Sequence, residues 1–348
     1  MPIALGFSLA LIINLVLTPL VLWIARKNEW FDKINSRKIH SGKIPRLGGL
    51  GIFYAFVLAL LIVALSGLGI FEGSTTVFWS VVAGAFIVHL VGLIDDFYDL
   101  PAMLKFVLQS IAAVLVIGAG FRFRIMLIPW GSGSFDFGII SYPLTYLWIV
   151  GVTNALNLVD GMDGLAGTVA SIAAAFFGAL FLIQGDIPAA VLCFTLVGAL
   201  IAFLAFNKNP ARIFMGDSGS LSIGFVLSVL PLLGQSKESV EIGFLSAVVI
   251  LAIPIYDTFA AMTRRAILGT GLFRPDMDHI HHKLLSLGLG PWKSLAVYIL
   301  VGLLLGASAL SSVYLPSALT FFIKIGVLGL LLILLLLLYR LASHKKKR

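Results

Sequence analysis

Apolar runs of about 17–25 residues, each long enough to cross a bilayer as a helix, constrain this chain more than any other feature. Of its 348 residues, 60% are hydrophobic and only 11% are charged, a composition that excludes an ordinary water-soluble domain. Since no low-complexity linker interrupts the chain, we treat residues 1–348 as one domain. The sequence predicts an all-α polytopic membrane protein with about eleven transmembrane helices, near 4–25, 49–70, 77–94, 102–119, 141–156, 164–183, 188–206, 219–234, 240–262, 292–312 and 316–340.

Lysine and arginine predict how these helices are oriented, because cytoplasmic loops carry an excess of both residues. If the helices alternate in direction, 20 of the 24 basic residues fall on one side, and Arg122, Arg124, Lys237 and Lys324 fall on the other. This distribution predicts that the N-terminus lies outside and the C-terminus in the cytoplasm. The net charge of +8 lies between the spans, so we expect it to meet the lipid bilayer and not nucleic acid.

Three carboxylates, Asp95, Asp96 and Asp99, lie within five residues at the predicted inner end of the third span. Adjacent acids repel and are costly near hydrocarbon, so they indicate a compensating cation or a catalytic role. Asp95 and Asp96 would worsen the negative end of their own helix dipole, which favours function over capping. Lys105, one turn into the next helix, is predicted to face the same edge and contact phosphate; snorkelling to the membrane surface is the alternative.

The next cytoplasmic turn combines asparagines with two Asp-Gly pairs, in the string Asn154-x-x-Asn157-x-x-Asp160-Gly-x-Asp163-Gly. Asp-Gly pairs are typical of open backbone and not of a helix interior. Such a turn offers amides, carboxylates and carboxamides together, which suits a polar ligand or a metal–phosphate unit. For Asp163, capping of the sixth span is an alternative.

A third cytoplasmic segment, Gly216-Asp217-Ser218-Gly219-Ser220, leads directly into a helix. Asp217 provides hard oxygen ligands, which suit magnesium. The residues after it open a helix N-terminus, where free amides and the helix dipole favour an anion such as phosphate. We therefore predict a metal ligand beside a phosphate-binding helix start.

The loop from residue 263 to about 291 contains Arg265 and the segment Asp278-His279-Ile280-His281-His282. These histidines resemble a zinc site, but they lack a second pair of ligands and a cysteine, which disfavours structural zinc. A basic, imidazole-rich loop opposite three acidic ones fits better as a clamp on a nucleotide diphosphate.

Four further polar residues have two interpretations each. Asp99 precedes Pro101 and serves either the site or the start of the fourth helix. His89, inside a span, is better explained by packing or hydrogen bonding than by ligand binding. Asp257, also inside a span, is undecided, and His40 either touches substrate or orders the chain before the second span.

Taken together, the strings Asp95-Asp96-Phe-Tyr-Asp99, Asn154-x-x-Asn157-x-x-Asp160-Gly-x-Asp163-Gly, Gly216-Asp217-Ser-Gly-Ser and His279-Ile-His281-His282 resemble the polyprenyl-phosphate N-acetylhexosamine-1-phosphate transferases. The resemblance covers nearly the whole chain. The Asp-His-Ile-His-His form is similar to the branch that uses UDP-GlcNAc, often called WecA or TagO.

This resemblance implies transfer of GlcNAc-1-phosphate from UDP-GlcNAc to undecaprenyl phosphate at the cytoplasmic face of a bacterial plasma (inner) membrane, initiating a cell-envelope polysaccharide. By similarity, Asp217 and Asn157 would hold Mg²⁺ (or Mn²⁺), and Lys105 would contact the diphosphate. Asp160 and Asp163 would place the nucleotide or its metal. The sugar-phosphate end would be gripped by Arg265, His279, His281 and His282. Homodimerisation and the downstream polymer are left open.

Asp95 and Asp96 are the predicted catalytic pair. A phosphate monoester with a second pKa near 6 is already mostly dianionic at neutral pH, so removing its proton gains little. We therefore favour one-step attack of the lipid phosphate on the β-phosphorus, with Asp95 and Asp96 orienting the acceptor, taking its residual proton or tuning the metal. A covalent aspartyl-phosphate on one of these residues is the competing mechanism.

Two other activities are weighed against this one. Within the same family, the alternative is the phospho-MurNAc-pentapeptide transferase, which carries a different histidine motif. From another class, an ion-coupled transporter also keeps carboxylates near a membrane. Clustering of the acids at one surface, and the lack of an internal repeat, disfavour the transporter.

Overall fold

The computed structural model describes residues 1–32, 43–71, 75–128, 133–233, 243–269 and 278–346. Almost all secondary structure in these ranges is helical, because a backbone in hydrocarbon must satisfy its polar groups internally. The helices are α1 Pro2–Lys27, α2 Gly48–Leu65, α3 Thr75–Tyr98, α4 Ala102–Gly118, α5 Ser141–Val159, α6 Leu165–Ile183, α7 Ile187–Asn207, α8 Gly216–Leu233, α9 Phe244–Ile250, α10 Ala252–Ile267, α11 Ile280–Ser286, α12 Pro291–Tyr314 and α13 Ser317–Lys346.

The predicted all-α membrane architecture is confirmed. Within the described ranges, nine helices are long and apolar enough to cross a membrane, and the bent pair α9–α10 makes a tenth if it counts as one span. The fourth predicted span, near 102–119, corresponds to α4, which is apolar but has 17 residues, the lower end of the length that crosses a bilayer.

The ninth predicted span is not one continuous helix. Where we predicted a helix over 240–262, the described residues form α9 and α10, whose axes differ by 79° at Leu251. Pro254 explains the break, because it lacks the N–H that would bond to the carbonyl of Ile250 and its ring crowds that carbonyl. The bend places Asp257, three residues beyond the proline, in the first half of α10.

Helix α8 forms the centre of the bundle, because all of its residues are buried. It packs against α3, α5 and α2, and its first turn therefore meets the end of α3 and the start of α2. The helix begins with a chain of small residues, Gly216-Asp217-Ser218-Gly219-Ser220, which lets these neighbours approach closely. This packing brings three separate polar segments to one end of the bundle.

A small antiparallel hairpin lies between α4 and α5. Strand β1, Ile125–Leu127, pairs with β2, Ser134–Asp136, with Ile125 opposite Asp136. The tip of the hairpin, 129–132, is outside the described residues. A short 3₁₀ turn at Gly138–Ile140 then leads into α5.

Candidate active site

Asp217, in the first turn of α8, is the centre of a buried cluster of opposite charges. Only 6% of the surface of Asp217 is exposed to solvent. The guanidinium of Arg46 donates to Asp217 Oδ1, and the Nζ of Lys105 lies 3.2 Å from Oδ2. The same Nζ lies 3.0 Å from Asp95 Oδ2, so one lysine bridges two carboxylates from different helices. The structure thus brings Asp217, Asp95 and Lys105 together, as the sequence predicts.

Asp96 caps the N-terminus of α8, although it belongs to α3. Its Oδ1 accepts from the backbone N–H of Asp217 at 2.7 Å, and its Oδ2 accepts from the N–H and the hydroxyl of Ser218 at 3.0 and 2.6 Å. Gly216, with φ of +75°, makes room for it, since an added Cβ would meet Asp96 Oδ2 at 2.6 Å. The dipole of α8 therefore stabilises Asp96, although the dipole of its own helix opposes it.

This capping corrects one prediction from the sequence. We expected the free amides at the start of α8 to bind a phosphate. In the structure, the amides of Asp217 and Ser218 are occupied by the carboxylate of Asp96, whose side chain is 0% exposed. An aspartate of the protein itself therefore holds the position predicted for a phosphate anion.

Asp95 has different partners from its neighbour Asp96. Its Oδ1 accepts from the backbone N–H of Leu100 at 2.6 Å, and its Oδ2 accepts from Lys105. The bond to Leu100 fixes the short connection between α3 and α4. In that connection the N-cap position of α4 is occupied by Pro101, two residues after Asp99.

Arg46 is the functional candidate that the sequence reasoning missed, since it was only counted among basic loop residues. Backbone pairing places it: the N–H of Phe214 donates to Pro45 O, and the N–H of Gly48 donates to Phe214 O. Arg46 Nε also lies 3.5 Å from Asp96 Oδ1. Burial lowers the pKa of Arg46, but the charges of Asp217 and Asp96 raise it by more, so the pKa lies above its ordinary value and the guanidinium stays protonated. In the sequence, the string Pro45-Arg46-Leu47-Gly48-Gly49 before α2 was the signal that could have indicated Arg46. His40, in the same loop, lies outside the described residues.

The turn between α5 and α6 carries the second predicted group. Asn157, in the last turn of α5, donates from Nδ2 to Ser220 Oγ on α8 at 2.8 Å, which places its carboxamide next to the first turn of α8. Asp163 is tied to the loop between α7 and α8, because its Oδ2 accepts from Asn209 Nδ2 at 2.9 Å and from the N–H of Ala211 at 3.0 Å. It does not cap α6, which starts after Gly164 without a side-chain cap.

Asp160 lies at the C-cap of α5, directly between these two residues. Burial raises its pKa to about 7, and the negative charges of Asp217, Asp96 and Asp163 act in the same direction, while Arg46 opposes them. The carboxylate of Asp160 therefore interacts electrostatically with the charged residues around the start of α8, Arg46, Asp96 and Asp217. A cation brought into this group would favour the ionised form of Asp160.

The histidine segment meets this turn through His281. His281 is 1% exposed, and its ring lies directly against Gly161. The rings of His279 and His281 are nearly parallel, with centroids 5.9 Å apart, and the rings of His281 and His282 are 4.1 Å apart. The predicted sugar-phosphate group and the predicted nucleotide group are therefore in direct contact.

Helices α10 and α13 position the other residues of the predicted clamp, Arg265 and the start of the histidine segment at Asp278. Arg265 is buried in the last turn of α10. Arg264 donates to the hydroxyl of Tyr339 on α13 at 2.6 Å, and that hydroxyl donates to Asp278 O at 3.0 Å. The last spanning helix thus fixes the start of the histidine segment.

His89, inside α3, stacks on Phe53, and its Nδ1 lies 3.1 Å from Ser218 O. These contacts confirm the prediction that His89 is a packing and hydrogen-bonding residue.

Comparison with known proteins identifies the family. The sequence profile described as glycosyl transferase family 4 matches residues 78–235, which contain the acidic segments and Asp217. A Bacillus subtilis (strain 168) protein named "Probable undecaprenyl-phosphate N-acetylglucosaminyl 1-phosphate transferase" is 36% identical over 308 residues, covering 88% of this chain and 84% of the relative. The chain belongs to glycosyl transferase family 4.

Relatives in other bacteria carry similar names. The decaprenyl-phosphate N-acetylglucosaminephosphotransferase of Mycobacterium tuberculosis (strain ATCC 25618 / H37Rv) is 34% identical, over 80% of this chain and 75% of its own length. The undecaprenyl-phosphate alpha-N-acetylglucosaminyl 1-phosphate transferase of Escherichia coli O157:H7 is 29% identical, over 91% of this chain and 84% of its own length. The family resemblance predicted from the motifs is therefore confirmed.

The donor set of this family 4 protein fits a hard divalent cation. In the described part of the site, four carboxylates face two cations, which leaves an excess of negative charge when all are ionised; the acids are Asp95, Asp96, Asp160 and Asp217. Among the described residues, no three carboxylate, imidazole or thiolate groups converge to hold a metal ion by themselves. Mg²⁺ does not require such a cage, because it is commonly bound by one or two carboxylates together with substrate phosphates and water.

Replacing Gly161 by alanine is expected to separate the two halves of the site. An added Cβ would meet Cε1 and Nε2 of His281 at 2.5 Å, and the buried ring has little room to move. We expect transferase activity to fall by about 10- to 100-fold, as small misplacements of binding groups do. The matched control is Gly151→Ala in α5, where an added Cβ meets nothing within 4 Å. Equal kinetics for the two variants would contradict the contact.

The buried ring of His281 predicts a pH-dependent stability. Burial lowers its pKa to about 3, and the neighbouring His282 acts in the same direction. Because the unfolded side chain titrates near 6.5, the unfolded chain binds more protons between these values, and stability falls as the pH drops below about 6.5. At pH 5 the loss is about 2 kcal/mol.

Thermal unfolding in detergent at pH 7 and pH 5 measures this effect. The wild-type melting temperature should decrease more on acidification than that of His281→Phe, which keeps a ring but has no titrating nitrogen. An identical decrease in the two proteins would show that His281 is not held in its neutral form.

Proposed function

We propose that this protein transfers GlcNAc-1-phosphate from UDP-GlcNAc to undecaprenyl phosphate, giving undecaprenyl-diphosphate-GlcNAc and UMP. The observation that carries the proposal is the convergence of Arg46, Asp217, Lys105 and Asp95 at one end of an apolar helix bundle. Such a cluster suits a phosphorylated substrate, and its place at the end of membrane helices suits a lipid acceptor. The relatives' names support N-acetylglucosaminyl transfer over the MurNAc-pentapeptide alternative and over a transporter.

The proposed step is a single displacement at phosphorus. An oxygen of the lipid phosphate forms a bond to the β-phosphorus of UDP-GlcNAc, and the bond from that phosphorus to the bridging oxygen breaks. The bridging oxygen and its electron pair leave with UMP. In phosphoryl transfers of this kind, catalysis consists mainly of positioning and neutralisation of charge.

Arg46 and Lys105 are the cations that would meet the diphosphate. Both are partly exposed, with 31% and 25% of their side chains accessible, whereas their carboxylate partners are nearly buried. Their charged groups can therefore turn from Asp217 and Asp95 towards substrate oxygens without crossing the core. A bidentate arginine and a flexible lysine are suited to this task.

The geometry supports direct transfer over a covalent aspartyl-phosphate. Asp96 has both oxygens bound to the start of α8 and no exposed side-chain surface, so it cannot attack a phosphorus atom without leaving that position. Asp95 is 5% exposed and is held by Leu100 and Lys105. We propose that Asp96 positions Asp217 and Ser218, and that Asp95 positions Lys105 and meets the acceptor.

Asp217, together with Asn157, would hold Mg²⁺, with Asp160 contributing from the adjacent turn. When bound, the ion would neutralise charge on the diphosphate and polarise its oxygens. His279, His281, His282 and Arg265 would bind the sugar-phosphate end, and Asp163 would keep the α5–α6 turn in place through the loop at Asn209. We further propose that this site faces the cytoplasm of a bacterial inner membrane, because most basic residues lie on the predicted inner side.

An assay with purified protein, undecaprenyl phosphate and Mg²⁺ tests the proposal. Release of UMP with UDP-GlcNAc, and much less with UDP-MurNAc-pentapeptide, is the expected result. The opposite preference would favour the alternative transferase. Absence of UMP release with either donor would contradict the proposal that the protein is this kind of transferase. A labelled protein formed from the donor without lipid acceptor would favour the covalent mechanism.

A further inference from the structure

Asp257 is a buried carboxylate with two specific partners, and the sequence leaves its role undecided. It is 1% exposed, its Oδ2 lies 3.0 Å from Nδ1 of His279, and its Oδ1 accepts from the N–H of Ile280 at 2.9 Å. We propose that Asp257 is a positioning residue, which fixes the ring of His279 in one tautomer for binding the UDP-sugar. This inference rests on the function proposed above and adds a residue to its site.

The tautomer follows from the chemistry of the pair. An ionised carboxylate only accepts hydrogen bonds, so the Nδ1 that faces it must carry a proton. In the neutral ring, Nε2 is then an acceptor, suited to a hydroxyl or amide donor of the sugar. Asp257 therefore decides which hydrogen-bonding group His279 can offer to a ligand.

The position of the pair connects it to the rest of the site. Asp257 lies on α10, 22 residues before His279, just after the bend at Leu251. The ring of His279 is parallel to that of His281, within 2°, and His281 lies against Gly161 beside Asp160. A rotation of the His279 ring would therefore disturb a stack that ends at the α5–α6 turn.

A merely structural role makes different predictions. If Asp257 served only to cap α11 through Ile280, its replacement would lower stability and would affect activity independently of His279. A carboxylate in the core, placed so that it meets both a ring nitrogen and a backbone amide, is instead arranged to orient the ring, as supporting carboxylates do for histidines in metal and catalytic sites.

Asp257→Asn is the decisive substitution. Asparagine can still accept from Ile280 through Oδ1, but its Nδ2 donates to Nδ1 of His279 and moves the ring proton to Nε2. We expect kcat/KM for UDP-GlcNAc to fall about 10- to 100-fold, with the KM for undecaprenyl phosphate unchanged. In a His279→Gln background, the same change should alter kcat/KM less than about twofold, because its effect passes through the missing ring.

The matched control is Asp186→Asn. Asp186 is also a buried aspartate, 6% exposed, and it caps α7 by accepting from the N–H of Ala189. This variant should lose stability to a similar degree and keep wild-type kinetics. Losses from Asp257→Asn and His279→Gln that simply multiply, or full activity in Asp257→Asn, would overturn the positioning role.

A measurement without turnover separates this inference from the proposed function. In protein labelled with ¹⁵N-histidine, the signal missing from His279→Gln identifies His279, and its shifts report which ring nitrogen is protonated. Protonated Nδ1 in the wild type and protonated Nε2 in Asp257→Asn are expected, whether or not UDP-GlcNAc is the donor. The same tautomer in both proteins would refute the inference, even in an active enzyme.

Discussion

Replacing Asp217 by asparagine is expected to reduce transferase turnover by about 10³-fold, the upper end of the loss caused by removing one electrostatic group from an active site. The carboxylate is the common partner of Arg46 and Lys105 and the first candidate ligand for a divalent ion. Asparagine keeps the shape and one acceptor oxygen but removes the charge. UMP release with saturating donor, acceptor and Mg²⁺ measures the effect.

The loss of activity should not come from unfolding. Arg46 and Lys105 are partly exposed and can be solvated, so the protein should remain folded, with a single monodisperse peak on size-exclusion chromatography. The control is Asp136→Asn, an exposed aspartate in the hairpin before α5 whose cap on Gly138 an asparagine preserves. Near-normal turnover in Asp217→Asn would refute the role of Asp217 in binding metal and organising charge.

Replacing Asp96 by alanine is expected to damage the fold and the activity together. Three donors at the start of α8, two amides and one hydroxyl, would lose their acceptor in a buried position. Loss of such bonds to a charged group costs roughly 3 kcal/mol. Since α8 also carries Asp217 and Ser220, its displacement should reduce turnover by about 10²-fold or more.

Thermal unfolding and a pH–rate profile distinguish this role from that of a general base. A base would leave the melting temperature unchanged and would alter the pH dependence of the rate. An anchor for α8 would lower the melting temperature by several degrees and reduce the rate at every pH. Asp99→Asn is the control from the same segment, because Asp99 is exposed and asparagine tolerates its φ of 51°.

These two predictions assign different tasks to neighbouring acids. Asp95 meets Lys105 and the α3–α4 connection, whereas Asp96 meets the start of α8. Their side chains diverge because successive residues on a helix point about 100° apart. A pair that the sequence presents as one catalytic motif is therefore split by the fold into one residue that pairs with Lys105 and one that caps α8.

The sequence predicts the spanning helices well, because hydrophobicity is a local property and bilayer thickness fixes the length of each run. The ninth span shows the limit of this reasoning. Its composition satisfies the hydropathy test, but the bend at Leu251 depends on how Pro254 is accommodated among neighbouring helices. Asp257 was left undecided for the same reason, since its partners are 22 and 23 residues away.

The acidic motifs and the histidine segment could be singled out from the sequence, because clustered charges beside apolar helices are costly unless they have a function. The partners of these residues could not be assigned. Arg46 reaches Asp217 across 171 residues, and Asp96 reaches its amide across 121. Contacts of this kind depend on which helices pack together and at what depth, and no local pattern records that.

The sequence alone therefore determined the membrane architecture, the family and the chemical types of residue gathered at one end of the bundle. Only the tertiary structure decided that Arg46 and Lys105 share Asp217, that Asp96 caps α8, and that His281 rests on Gly161. The physical reason is that burial follows from each segment's own composition, whereas hydrogen bonds and ion pairs require two distant segments to meet within about 3 Å.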